Sequence, residues 1–152
     1  MTTRTEPSVG LERLVEAELA AEPVFLMARA ASIGSSAANR RLAQLELKVR
    51  HYSVLALACG DEQLTQRELS QFLVLDPSQI VAILDELEKR GAVERRTDPR
   101  DRRSKIIAPT EAGRGLYAQA RAVVEASTAE SLSPLSPAER EELSRLLRKV
   151  AF

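Results

Sequence analysis

A single cysteine among 152 residues excludes an internal disulfide framework and agrees with a reducing compartment. One histidine, His51, rules out a His-rich metal site or a second histidine partner within a subunit, and Cys59 has no CxxC companion. No GxGxxG or P-loop pattern occurs; Gly113-Arg114-Gly115 reads as the first turns of a helix after a threonine cap. The acidic neighbours Asp85-Glu86 and Glu141-Glu142 diverge by about 100° on a helix, so they do not converge on one substrate atom. An enzyme is therefore not expected, and no catalytic residue, metal or cofactor is assigned. No apolar run approaches the roughly 20 residues of a membrane span. The N-terminus lacks a signal-peptide core, so the expected location is cytoplasmic, with no membrane partner. Aromatic residues make up only 3% against 44% apolar residues, which points to one core of Ala, Leu and Val packed between helices, with few strands.

Charge balances over the whole chain, at 22 basic and 22 acidic residues, but not locally. Lys89 to Lys105 holds eight basic side chains (Lys89, Arg90, Arg95, Arg96, Arg100, Arg102, Arg103, Lys105) against three acidic ones (Glu94, Asp98, Asp101), a local net charge of +5. Between Ala92 and Thr110 the pattern is a strand, a charged tip and a returning strand, with Asp98-Pro99 starting the turn. Phosphates attract such a patch by counterion release, and arginine suits a narrow minor groove because its guanidinium is weakly hydrated.

Two short helices precede the hairpin. Thr65 and Glu68 form a capping box for a helix with Leu69, Phe72 and Leu73 as its buried stripe. Asp76-Pro77-Ser78-Gln79 then supplies a carboxylate N-cap, a proline at the first helical position and a second capping box. Ile80, Ile83, Leu84 and Leu87 recur at i, i+3, i+4, i+7 as the core face, leaving Ser78, Gln79, Ala82 and Glu86 on the other. With only Val74 and Leu75 between stripe and cap, the pair is a helix-turn-helix, and the following hairpin makes it a winged helix. The expected fold is mostly α with a small β-wing: a winged helix-turn-helix domain over 47–110, helical dimerisation segments over 10–46 and 111–152, and a flexible tail over 1–9.

The runs Leu-Thr-Gln-Arg-Glu-Leu (64 to 69), Leu-Asp-Glu-Leu-Glu-Lys-Arg-Gly (84 to 91), Asp-Pro-Arg-Asp-Arg-Arg (98 to 103) and Thr-Glu-Ala-Gly (110 to 113) resemble the MarR family of bacterial transcription regulators, in order and spacing, from about residue 23 onward. The resemblance implies a sequence-specific double-stranded DNA-binding regulator, a homodimeric repressor released by a small ligand, acting on a palindromic operator. It implies that Arg103 enters the minor groove while Asp101 orients it. The expected DNA-binding set is Thr65, Gln66, Pro77, Ser78, Gln79, Ala82, Arg95, Arg96, Arg100, Arg102, Arg103 and Lys105, with Asp98 and Asp101 orienting the wing. Alternatives are a winged-helix protein-interaction module that does not bind DNA, and a ligand-independent regulator. Two departures stand out. Many members carry glycine where this chain has Val74, so a positive φ in that turn brings strain. Many carry arginine or threonine where Ala82 stands, so contact there is apolar, suited to a thymine methyl.

The flanking segments point to assembly. Glu12 to Ala21 is expected as a short helix, followed after Pro23 by a longer one to about Leu45 with Leu26, Ala30, Ile33, Ala37 and Leu42 on its buried side. Thr110 caps a helix carrying Leu116, Ala120, Val123 and Val124, which Ser133-Pro134-Leu135-Ser136-Pro137 breaks. Ser136 and Glu139 cap the last helix, whose stripe Leu143, Leu146, Leu147 and Val150 is the expected dimer interface. In the family, terminal helices of two subunits interlock. The resemblance also implies a candidate effector pocket for a small aromatic or phenolic molecule at Phe25, Arg29, His51 and Tyr52. For His51 itself, burial statistics favour a hydrogen-bonded packing residue over a pH- or ligand-sensitive one. Cys59, among aliphatics and near Asp61 and Glu62, is expected to have a raised pKa and to be inert.

Overall fold

The computed structural model describes residues 11–152, so the tail expected over 1–9 lies outside the described residues. The chain divides into an N-terminal unit ending at Ser36 and a second unit, Ala37–Phe152.

In the first unit the helix expected over Glu12 to Ala21 is two short 3-10 turns, Glu12–Glu16 and Glu18–Ala21. Ala17 between them is extended (φ −70°, ψ 146°), and neither Leu11 nor Ala17 caps with its side chain. The extended backbone at Ala17 interrupts the helix, and without a side-chain cap neither short turn nucleates a longer α-helix. Pro23 then opens helix α1, Pro23–Leu42, at the position where a missing N–H costs nothing. Of the side expected to be buried, Leu42 is enclosed, whereas Leu26 and Ile33 are about half exposed on the single chain.

The second unit is a helical core with a three-stranded antiparallel sheet. Its elements are α2 (Val49–Ala58), β1 (Leu64–Thr65), α3 (Gln66–Leu73), α4 (Pro77–Lys89), β2 (Val93–Thr97), β3 (Lys105–Pro109), α5 (Glu111–Ser131) and α6 (Pro137–Ala151). The sheet order is β1-β3-β2, with Thr65 opposite Ile106 and Arg96 opposite Ile106 on the other side. Thr65 is thus both the end of β1 and the cap of α3, so the wing's inner strand fixes where the helix-turn-helix starts. Ile80, Ile83, Leu84 and Leu87 all face the core, packed with Leu42, Val54, Leu55 and Leu69. Truncating Leu84 to alanine would cost about 2–5 kcal/mol. The stripe on α3 is narrower than its spacing suggested: Leu69 is buried, but Phe72 is exposed and stacks on Phe152, ring centroids 5.7 Å apart.

The turn between α3 and α4 takes the conformation that Val74 tolerates poorly. Val74 lies at φ 52°, ψ 47°, with its side chain 88% exposed, so packing does not compensate. A non-glycine residue there costs on the order of 1–3 kcal/mol. Two hydrogen bonds hold the turn against that strain: the Leu75 N–H donates to the Ser70 carbonyl (3.1 Å) and the Ser70 hydroxyl to the Leu75 carbonyl (2.7 Å).

Candidate nucleic-acid interface

The start of α4 is built by its own cap. Oδ1 of Asp76 accepts from the Ser78 N–H (2.8 Å) and the Ser78 hydroxyl (2.5 Å), and Oε1 of Gln79 accepts from the Asp76 N–H (3.3 Å). These bonds from the Ser78 hydroxyl and then its N–H hold the Asp76 carboxyl below the usual range. The Ser78 hydroxyl proton and the Gln79 carbonyl are therefore committed to the cap. The Gln79 amide nitrogen and the Ala82 methyl remain on an exposed face with Pro77. Thr65 and Gln66 are half-buried at the start of α3, where Thr65 and Glu68 complete the other capping box.

The wing's arginines divide into those engaged within the chain and those that are not. Arg95 lies between two carboxylates of α4, 2.6 Å from Asp85 and paired with Glu88. Arg96 pairs with Glu94 beside it. Arg100 closes on Asp98 through its side chain (3.0 Å) and its N–H (2.8 Å), and also donates to the Gln63 carbonyl (3.0 Å). Asp98 is buried, and the Arg100 side chain, with its N–H second, holds that carboxyl below its usual range. Lys105 donates to the Thr97 hydroxyl (3.0 Å). Arg102 and Arg103 at the tip are exposed and take part in no ion pair among the described residues. Counting Asp85 and Glu88, which bind Arg95 from outside the segment, lowers the local net charge from +5 to +3.

Asp101 meets Arg103 at the backbone. Its Oδ1 accepts from the Arg103 N–H (3.0 Å), an Asx-type turn that shapes the tip, and among the described residues Asp101 makes no bond to the Arg103 guanidinium. Asp98 is the wing aspartate that grips a guanidinium, and the one it grips belongs to Arg100.

The four candidate effector residues fall into two sets. Phe25 and Arg29 line a cavity of about 300 Å³ in the N-terminal unit, walled by Leu11, Leu14, Val15 and Leu19. His51 and Tyr52 belong to the second unit. The Tyr52 ring stacks on Tyr117 at 5.9 Å, and burial, reinforced by the Tyr117 phenol, raises its pKa. His51 is buried, with Nε2 2.6 Å from Glu86 and Nδ1 3.1 Å from the Lys48 nitrogen. That link and the role of Arg90 escaped sequence reasoning, because their partners lie 35 or more positions away. Cys59 is half-buried, and burial pushes its thiol up against a weaker opposing pull from Arg114. On α6, Leu143 is half-buried while Leu146 (47%), Leu147 (42%) and Val150 (70%) stay exposed.

Residues 45–104 match the model of the MarR family. A MarR-family transcriptional regulator from a Rhodococcus species is similar over 84% of this chain and 91% of its own, at 41% identity and a TM-score of 0.79. This chain belongs to the MarR family. CouR from Rhodococcus jostii, whose structure holds p-coumaroyl-CoA, is 40% identical over 90% of this chain and 96% of its own, with a TM-score of 0.80. A MarR-family protein of Mycobacterium tuberculosis in complex with salicylic acid is 28% identical over 86% and 96% of the two chains, with a TM-score of 0.72. These MarR relatives are transcription regulators, and their winged helix is the architecture described above. No helix among the described residues is long and apolar enough to cross a membrane.

Proposed function

We propose that this MarR-family chain is a cytoplasmic, homodimeric regulator that binds a palindromic double-stranded operator and represses until a small ligand releases it. One observation carries the DNA reading: an exposed face at the start of α4 lies in the same winged helix as a tip whose Arg102 and Arg103 have no carboxylate partner among the described residues. Gln79 and Ala82 meet base edges in the major groove, and Arg103 enters the minor groove. Gln66 lies along the phosphates at the start of α3 and Arg96, Arg100, Arg102 and Lys105 along the wing, while Thr65, Pro77 and Ser78, whose own donors are absent or held within the caps, shape the helix starts that face the DNA. Arg95 contributes by holding the wing to α4.

The dimer reading is supported by the apolar face of α6, since Leu146, Leu147 and Val150 form an exposed stripe that a second copy would cover. Replacing Leu146 and Leu147 by Glu buries unpaired charge in that interface and is expected to give monomers in sedimentation. The ligand proposed is an aromatic acid or its CoA thioester, supported by what the Rhodococcus and mycobacterial relatives hold. The effector residues proposed are Phe25 and Arg29 on the cavity of the N-terminal unit and, separately, His51 and Tyr52 in the second unit.

The experiment is enrichment of a random duplex pool on the purified chain, followed by release with p-coumaroyl-CoA or salicylate. A palindromic consensus released by one of these is the expected outcome. A pool that does not converge would favour the protein-interaction alternative, and a converged complex insensitive to both would favour ligand-independent regulation.

A further inference from the structure

The C-terminal half of α4 grips the segment that joins α1 to α2. Arg90, which ends α4, donates from Nη1 to the Glu46 carbonyl (3.0 Å) and from Nη2 to the Leu45 carbonyl (2.9 Å). One turn earlier, Glu86 lies 2.6 Å from Nε2 of His51. Nδ1 of His51 faces the Lys48 backbone N–H, which can only donate, so Nδ1 is the acceptor and the imidazole proton sits on Nε2, toward the carboxylate. On the other flank, Oδ1 of Asn39 in α1 accepts from the Val49 N–H (2.8 Å). Glu46 is held left-handed at φ 53°, a strained geometry for a non-glycine residue, with its carbonyl bonded to Arg90. Residues 43–48 are thus tied to α1 and α2 on one side and to α4 on the other, by directional bonds throughout.

We propose that His51 and Arg90 are positioning residues for DNA reading: they fix the tilt of α4 and so the place where Gln79 and Ala82 meet base edges. The proposal rests on the DNA-binding reading above. Apolar packing of Ile80, Ile83, Leu84 and Leu87 holds α4 to the core but is non-directional and permits small rotations. From Gln79 to Arg90 the helix is roughly 16 Å long, so a tilt of about 5° displaces its reading end by about 1.4 Å. A shift of that size spoils a base-edge hydrogen bond, whereas flexible arginines follow their phosphates. Loss of the grip should therefore lower discrimination between sequences more than it lowers affinity for DNA as such.

The two ring nitrogens of His51 are separable by substitution. His51→Gln places an amide donor near Nε2 and retains the bond to Glu86. His51→Asn retains an acceptor near Nδ1 for the Lys48 N–H but does not reach Glu86. Arg90→Lys keeps the charge and loses the two-pronged grip on the carbonyls. The measurement is fluorescence anisotropy of the full chain on the enriched duplex and on a scrambled duplex of equal length, with thermal unfolding recorded alongside. His51→Asn and Arg90→Lys should each reduce the ratio of enriched to scrambled affinity about tenfold, with scrambled binding within about twofold of wild type. His51→Gln should restore the ratio. A wild-type ratio in both His51→Asn and Arg90→Lys overturns the proposal, as does an equal loss on the two duplexes, which marks a purely structural role. His51→Gln behaving like His51→Asn also overturns it. If the wild-type chain shows no preference between the duplexes, the DNA-binding reading fails and takes the proposal with it; preference retained through these substitutions defeats the proposal alone.

Discussion

Gly113 lies so close to Ala92 that a Cβ added to it would stand 1.8 Å from the Ala92 carbonyl oxygen. The first turn of α5 is thereby pressed against the base of the wing. Thr110 completes the joint, donating its N–H to the same carbonyl (3.1 Å) while its hydroxyl accepts from the Gly113 N–H (3.0 Å). Gly113→Ala is expected to destabilise the fold by roughly 3 kcal/mol, because the obstacle is backbone that cannot rotate away. Chemical denaturation checks this, and an unchanged midpoint would contradict the contact.

Val74→Gly should act in the opposite direction. Glycine adopts φ 52° without a Cβ penalty, and the exposed valine side chain contributes little packing to lose. After the entropy that glycine adds to the unfolded chain, a net gain of about 1 kcal/mol is expected. A loss of stability in thermal or urea unfolding would show that Val74 is not strained.

Arg95 and Arg103 should separate stability from binding. Arg95→Ala breaks the tie from β2 to Asp85 and Glu88 and is expected to lower stability by about 1–2 kcal/mol. Arg103→Ala should leave unfolding unchanged and weaken operator binding by roughly 1–3 kcal/mol. Because Asp101 accepts from the Arg103 backbone, Asp101→Asn, which keeps an acceptor, should bind nearly as wild type, whereas Asp101→Ala should not. Equal loss in both Asp101 variants, by anisotropy, would mean that its charge matters rather than its hydrogen bond.

Asp98 carries a pH dependence of stability. Its carboxyl is held below the ordinary range by Arg100, so the folded state binds that proton less readily than the unfolded chain does. The resulting stabilisation is present above the unfolded pKa, about 3.9, and is lost as pH falls through the lower folded value. The stability difference between wild type and Asp98→Asn should therefore shrink on acidification from neutral pH to below about 4. A difference that stays constant over that interval would show that Asp98 is not stabilised as the anion.

Much of the winged helix was legible from spacing alone. The apolar recurrence at Ile80, Ile83, Leu84 and Leu87 and the capping boxes at Thr65, Asp76 and Ser136 are local signals, and the structure contains each of them. What escaped was non-local or energetic. The pairing of Arg95 with Asp85 and Glu88 depends on how a strand lies against a helix, so a charge count over the hairpin overstated the free basic surface. Phe72 fits the stripe on α3 by period, but the eight-residue helix has too narrow a covered face to bury it. At Val74 the geometry of the turn overrides residue preference, since α4 must begin two residues later at its Asp76 cap. Gly113 looked like ordinary helix sequence because nothing local announces the Ala92 carbonyl opposite it.

A hydroxyl-radical footprint on the enriched duplex tests most directly the claim that two copies read DNA through α4 and the tip of the wing. Protection symmetric about a dyad is expected, with half-site centres about one helical turn apart or a multiple of it, and minor-groove protections that Arg103→Ala removes while the remaining protection persists. A single asymmetric tract, or minor-groove protection that survives Arg103→Ala, would contradict it.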